Sequence, residues 1–155
     1  MFKKITVCAL SATLLLIGTS SQPTEAAYGG KVTLKNTYSQ AMPVSQMYGR
    51  SGLDVHSVSS SAKITFKGET YSKNTVGKPF AYATTSLYNS KNTKVASISK
   101  SISGGTSASA VASKQVSVSR GKYKVSTSHT VEIFNSYGKV PNSTYRGSSS
   151  YSTSF

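Results

Sequence analysis

Polar and apolar residues alternate with a period of two along much of the chain after residue 27, the pattern of half-buried β-strands. The clearest run is 122–134. Tyr123, Val125, Thr127, His129, Val131 and Ile133 fall on one face, and Lys122, Lys124, Ser126, Ser128, Thr130 and Glu132 on the other. Lys114 to Ser119 alternates in the same way, and Arg120-Gly121 between the two runs predicts a hairpin turn. Ser61 to Lys67 points Ala62, Ile64 and Phe66 inward and Lys63, Thr65 and Lys67 outward, with Gly68 read as the turn that ends it. Phe80 to Tyr88 has apolar residues at both parities, as a strand covered on both faces would. Asn89-Ser90-Lys91-Asn92-Thr93 reads as a turn, and Val95 to Ile102 as the strand that pairs back.

Other segments are weaker. Gly30 to Lys35 and Val55 to Ser59 read as short strands, and Thr37 to Gly52 as an irregular loop with Met42-Pro43 and Met47-Tyr48 as its apolar points. The alanines of Thr106 to Ser113 suit a short helix, but its neighbours favour a strand. No stretch sustains a 3.6-residue period. The expectation is therefore all-β: a single small antiparallel β-sandwich, or sandwich-like barrel, of about six to eight short strands.

The first 27 residues follow different rules. Met1-Phe2-Lys3-Lys4 is basic, Ile5 to Gly18 is mostly apolar, and Thr24-Glu25-Ala26-Ala27 ends in small residues. This order predicts a secretory signal peptide cleaved after Ala26 or Ala27; the apolar run is too short to span a bilayer and no second one follows. The expected organisation is a signal peptide over 1–27, a β-sandwich over 28–140 and a Ser/Tyr-rich tail over 141–155. That tail is poor in apolar residues, although Tyr145, Tyr151 and Phe155 could dock it as an edge strand. The mature protein is thus expected outside the cytoplasm, with no transmembrane segment.

Export changes how the composition reads. The one cysteine, Cys8, leaves with the signal, so no disulfide is expected and the fold must hold by packing and sheet hydrogen bonds. There are 18 Lys and Arg against 4 Asp and Glu, a formal net charge of +14. The leader removes only Lys3, Lys4 and Glu25, so the cationic surplus stays with the exported part. The cations are scattered, and their field draws polyanions and anionic surfaces. All 10 tyrosines lie beyond the leader and tryptophan is absent. Tyrosine with serine, glycine and asparagine suits adhesive surfaces, but it also simply fills strands. Lysines and tyrosines on opposite faces at 122–125 argue against the stacked aromatic–basic groove of single-strand nucleic-acid binders, so no specific nucleic acid is expected.

Candidate chemistry is sparse. Asp54, Glu69 and Glu132 are the carboxylates beyond the leader, and Glu69 and Glu132 make an unconvincing glycosidase pair, each reading more simply as a solvated turn or outer-face residue. Asp54 and His56 share a face of an extended segment, too few ligands for a metal. A Ser-His-Asp set can be drawn with His56 or His129, but no Gly-x-Ser-x-Gly elbow is present. His129, on the apolar face of the best strand, reads as a core residue donating to a carbonyl or a tyrosine hydroxyl. No catalytic residue, cofactor or metal is assigned. Anionic-ligand contacts are assigned to Lys63, Lys67, Lys122 and Lys124.

The Lys-Lys leader, the Thr-Glu-Ala-Ala exit, the absence of cysteine after it and the Ser/Thr/Tyr-rich β region resemble the small uncharacterised secreted proteins of Bacillus-type Gram-positive bacteria and their prophages. The resemblance implies export and carries over no active site. The functional expectation is a secreted, basic, non-enzymatic β-sandwich that binds anionic cell-envelope polymers, a cell-wall polymer before a membrane surface. The alternative is a secreted antimicrobial or toxin acting on anionic membranes. Serine stands in the strands where lipid would favour leucine, which weighs against it.

Overall fold

Alternation on paper becomes pairing in space. The computed structural model describes residues 27–37, 44–73, 76–135 and 141–155. The signal peptide, apart from Ala27, lies outside the described residues, as do Met42-Pro43. The described strands are β1 (Ala27–Tyr28), β2 (Lys35–Asn36), β3 (Gln46–Val58), β4 (Ser61–Lys73), β5 (Lys78–Asn89), β6 (Lys94–Ser103), β7 (Ser107–Ser119), β8 (Lys122–Phe134) and β9 (Ser143–Ser154). They form two antiparallel sheets that face each other as a sandwich. The first has the order β1-β3-β4-β7 and the second β2-β9-β8-β5-β6.

The seven main strands run 10 to 13 residues, longer than the short strands expected. The expected β5–β6 hairpin forms, from Phe80 opposite Ser103 to Tyr88 opposite Lys94. Its turn is closed by the Asn89 side chain, which accepts from the amides of Lys91 and Thr93 at 3.0 Å, and Asn92 takes a left-handed φ of 56°. The segment 107–119 is strand, with Ala108, Ala110 and Ala112 facing Ala81 and Ala83 of the other sheet.

Three expectations fail for physical reasons. β7 and β8 are not a hairpin: β7 pairs with β4 and β8 with β5 and β9. Arg120-Gly121 therefore carries the chain from one sheet to the other, and alternation, which reveals a buried face, does not name a partner. Gly68 is not a turn; β4 runs five residues beyond it, and a Cβ there would overlap the hydroxyls of Thr85 and Thr127. The supposed loop 37–52 contains the first half of β3, where Gly49, Gly52 and small or charged neighbours mask the alternation.

The 141–155 segment is no appendage. β9 pairs with β8 from Ser143 opposite Ile133 to Ser154 opposite Lys122, and β2 covers its other edge at Tyr145 and Arg146. Tyr145 is buried with Leu34, Val131 and Ile133, and Phe155 stacks on Tyr123 at 5.3 Å. Its serines gave it the composition of a tail, but Ser143 and Ser149 face inward, and Ser149 supplies a hydroxyl that the interior uses.

Along β8 the inward side chains change character. Tyr123 and Val125 join Leu53, Ala62, Ile64, Phe66 and Leu87 in one apolar cluster, while Val131 and Ile133 belong to another. Thr127 and His129 lie between them, in a polar belt across the middle of the core. Ser51, Thr70, Thr85 and Ser149 complete the belt, all buried.

Candidate functional site

The polar belt is where buried chemistry would be found. His129 is 1% exposed, and its Nδ1 lies 2.8 Å from the Thr70 hydroxyl while its Nε2 lies 2.7 Å from the Ser149 hydroxyl. The Ser149 hydroxyl meets that of Ser51 at 2.7 Å, Ser51 donates to Thr127 at 2.8 Å, and Thr127 meets Thr85 at 3.2 Å. At the other end Thr70 donates to the carbonyl of Tyr82 at 2.8 Å. Burial pushes the His129 imidazole down to about 4, so it is neutral at ordinary pH. It is a core histidine as expected, but its partners are hydroxyls, not a carbonyl or a tyrosine. Ser149, His129 and Thr70 imitate a relay with a hydroxyl where a triad holds a carboxylate, and all three are buried.

The carboxylates lie elsewhere, on outer faces. Asp54 binds Lys67 at 2.7 Å. Glu69 binds Arg50 at 2.6 Å and accepts from the Tyr48 hydroxyl at 3.3 Å. Glu132 accepts from the Tyr82 hydroxyl at 3.2 Å. Glu69 and Glu132 sit on the outer faces of opposite sheets and cannot flank one substrate. Glu69, read as solvated, is 8% exposed beneath Arg50 and Tyr48. His56 turns to Thr65 at 2.7 Å, next to a bulge in β3, while Asp54 turns to Lys67, so the two do not act together. Among the described residues no group of three or more His, Cys, Asp or Glu could hold a metal ion.

The outer face of the first sheet is an aromatic–ionic ladder. Tyr71 stacks on Tyr48 at 5.1 Å, Lys31 covers Tyr48 at 4.3 Å, and Arg50 and Lys67 cover Tyr28 at 3.9 and 4.7 Å. Burial, then Glu69, raises the Tyr28 and Tyr48 phenols above their usual range. Burial also works against the Arg50 charge, but the hydrogen bond and charge of Glu69 outweigh it and raise the guanidinium. Here Arg50 and Lys67 are matched by Glu69 and Asp54 and committed to the fold. β1 and Lys31 are fastened down by these contacts.

The four lysines assigned from sequence are therefore divided. Lys63 and Lys67 lie on the outer face of the first sheet, Lys122 and Lys124 on that of the second. Lys67 is consumed by Asp54, its side chain only 12% exposed. Lys63, Lys122 and Lys124 are exposed and gather at one end of the sandwich. That end is defined by the β3–β4 turn, the Asn89–Thr93 turn, the Arg120-Gly121 link and Phe155, whose backbone exchanges hydrogen bonds with Gly121 at 3.0 and 3.2 Å. Lys91, Lys94 and Arg120, which the sequence reading did not single out, join them there, all exposed. No Asp or Glu lies in these turns. The signal that could have found most of the cluster was position: Lys91, Lys94, Arg120, Lys122 and Lys124 fall in or within a few residues of the predicted turns at Asn89–Thr93 and Arg120-Gly121, while Lys63 flanks the β3–β4 turn that the sequence did not mark.

A depression of about 370 Å³ opens at this end, between the Asn89–Asn92 turn and Lys122, Lys124 and Ser152. A second, of about 270 Å³, adjoins it and is lined by Tyr88, Asn92, Lys124 and Ser126. No described helix is long and apolar enough to cross a membrane. No protein-family model matches this chain, and neither a curated protein nor a solved structure does.

Proposed function

We propose that this is a secreted, non-enzymatic β-sandwich that binds anionic cell-envelope polymer through exposed cations, most densely set at the Asn89–Thr93 end. The observation that carries the reading is the distribution of charge. Asp54 and Glu69 are used up against Lys67 and Arg50 on the first sheet, and Glu132 is held by Tyr82. Lys63, Lys91, Lys94, Arg120, Lys122 and Lys124 face solvent together without a carboxylate between them. Binding would come from displacement of the polymer's counterions, reinforced by short-range contacts in the depressions. Export and a bacterial envelope as the setting rest on the leader and on the resemblance drawn from sequence.

The test is co-sedimentation of the purified mature protein with cell walls, intact or stripped of anionic polymer. Bound protein is expected to fall steeply between low salt and about 0.5 M salt, where charges more than a few ångströms apart are screened, and to be lost on stripped walls. Equal binding at both salt concentrations, or to both wall preparations, refutes the proposal. Dye release from anionic vesicles at micromolar protein would instead favour membrane action.

A further inference from the structure

The depressions are not confined to the turn end. A third, of about 180 Å³, is lined by Tyr82, Thr84, Ser99, Lys100 and Ser101. Tyr82 and Thr84 lie on the outer face of β5, the same face as Tyr88 in the second depression. From Tyr88 to Tyr82 is six residues, roughly 20 Å of strand at about 3.3 Å each. Hydroxyls cover the distance between. In register, one row across the sheet is Ser148, Ser128, Thr84 and Ser99, and the next is Ser150, Ser126, Ser86 and Ser97. Thr84 meets Ser99 at 3.0 Å and Ser86 meets Ser97 at 2.9 Å, which fixes those hydroxyls in place, while Ser128, Ser148 and Ser150 face solvent. Cations stand on this face at both ends of the track: Lys94, Lys122 and Lys124 at one, and Arg146, in register with Thr130 and Tyr82, at the other.

We infer that the outer face of the second sheet, from Lys122 to Tyr82, is an extended track for a linear chain of phosphodiester-linked polyol units. This deepens the proposed envelope binding and rests on it. The ligand class follows from the order of groups along the track. Cationic groups at its ends, lysines at one and Arg146 at the other, suit isolated anionic groups, and the hydroxyl rows between them suit a ligand that is itself hydroxylated between its charges. A plain polycarboxylate offers charge at each unit and nothing for the hydroxyl rows. A single-stranded nucleic acid wants successive rings on which to stack its bases, and the track's tyrosines, Tyr82 and Tyr88, are separated by the hydroxyl rows. Glu132, held by Tyr82, repels anions and marks the far end.

The test measures binding of the mature protein to synthetic poly(glycerol phosphate) of increasing length, with polyglutamate of matched charge as comparison. Affinity is expected to rise with length until the track is filled, and to exceed that for polyglutamate by about tenfold at equal salt. Ser128→Tyr, which places a ring in mid-track, is expected to weaken binding about tenfold. Ser113→Tyr, on the outer face of the first sheet, should change it by no more than about twofold. Should Ser128→Tyr fail to fold, Lys124→Gln against Lys73→Gln at the opposite end makes the same comparison with the same expected difference. Equal effects of the paired variants, or affinity independent of length, overturn the track while leaving salt-dependent wall binding intact. Equal affinity for polyglutamate overturns the ligand class alone, and no binding to unstripped walls overturns the broader proposal as well.

Discussion

Acidification should destabilise this protein through one buried residue, His129. His129 is surrounded by Thr70 on β4, Ser149 on β9, Gly49 on β3, and Ala83 and Gly147 opposite it on the neighbouring strands, none of them charged. In the folded state its imidazole is held near 4, against 6.5 when exposed. The unfolded chain therefore takes up the proton first. Stability is complete above about pH 6.5, falls as pH drops from there towards 4, and levels off below, as far as this residue is concerned. The slope is about 1.4 kcal/mol per pH unit inside that window, and the whole loss is about 3 kcal/mol. That is a large part of the ~5–15 kcal/mol typical of a domain. Urea unfolding at steps between pH 7 and pH 3 would measure it, with His129→Gln as the reference that should lose most of the slope. His56→Gln, run alongside, separates the two imidazoles. Stability that stays flat from pH 7 to pH 4, or a folded-state NMR titration of His129 near 6.5, would refute the reasoning.

Other consequences follow from the same interior. Gly49→Ala forces a methyl group into the His129 ring, and should cost about 1–3 kcal/mol in chemical denaturation. Ser149→Ala strands the ring nitrogen of His129, while Ser51 keeps Thr127 as partner, for a loss of about 1–3 kcal/mol by the same assay, whereas Ser150→Ala next to it on the outer face should be close to neutral. Phe66→Ala empties the centre of the largest apolar cluster and should cost about 3–5 kcal/mol. Truncation before Ser143 removes β9, bares one edge of β8 and takes Ser149 from the belt, so far-UV circular dichroism should show no cooperative unfolding.

The all-β class, the β5–β6 hairpin and the inward faces of β8 and of the first half of β4 were legible in the sequence, because a period-two alternation and an Asn-rich turn are local properties that each strand carries by itself. So was the burial of His129, from its place between Thr127 and Val131 on an apolar face. The partnership of strands was not legible: β7 and β8 are joined by two residues yet lie in different sheets, since alternation says which side is buried and is silent about what lies beside it. Composition misled at β9 and at Gly68 because serine and glycine look like tail and turn until the opposite sheet is in place, supplying a hydroxyl chain for the one and two threonines above the other. The net charge was plain from the residues alone. Which cations are free and which are committed was decided only when folding set Arg50 and Lys67 against Glu69 and Asp54, and three turns brought Lys63, Lys91, Lys94, Lys122 and Lys124 to one end.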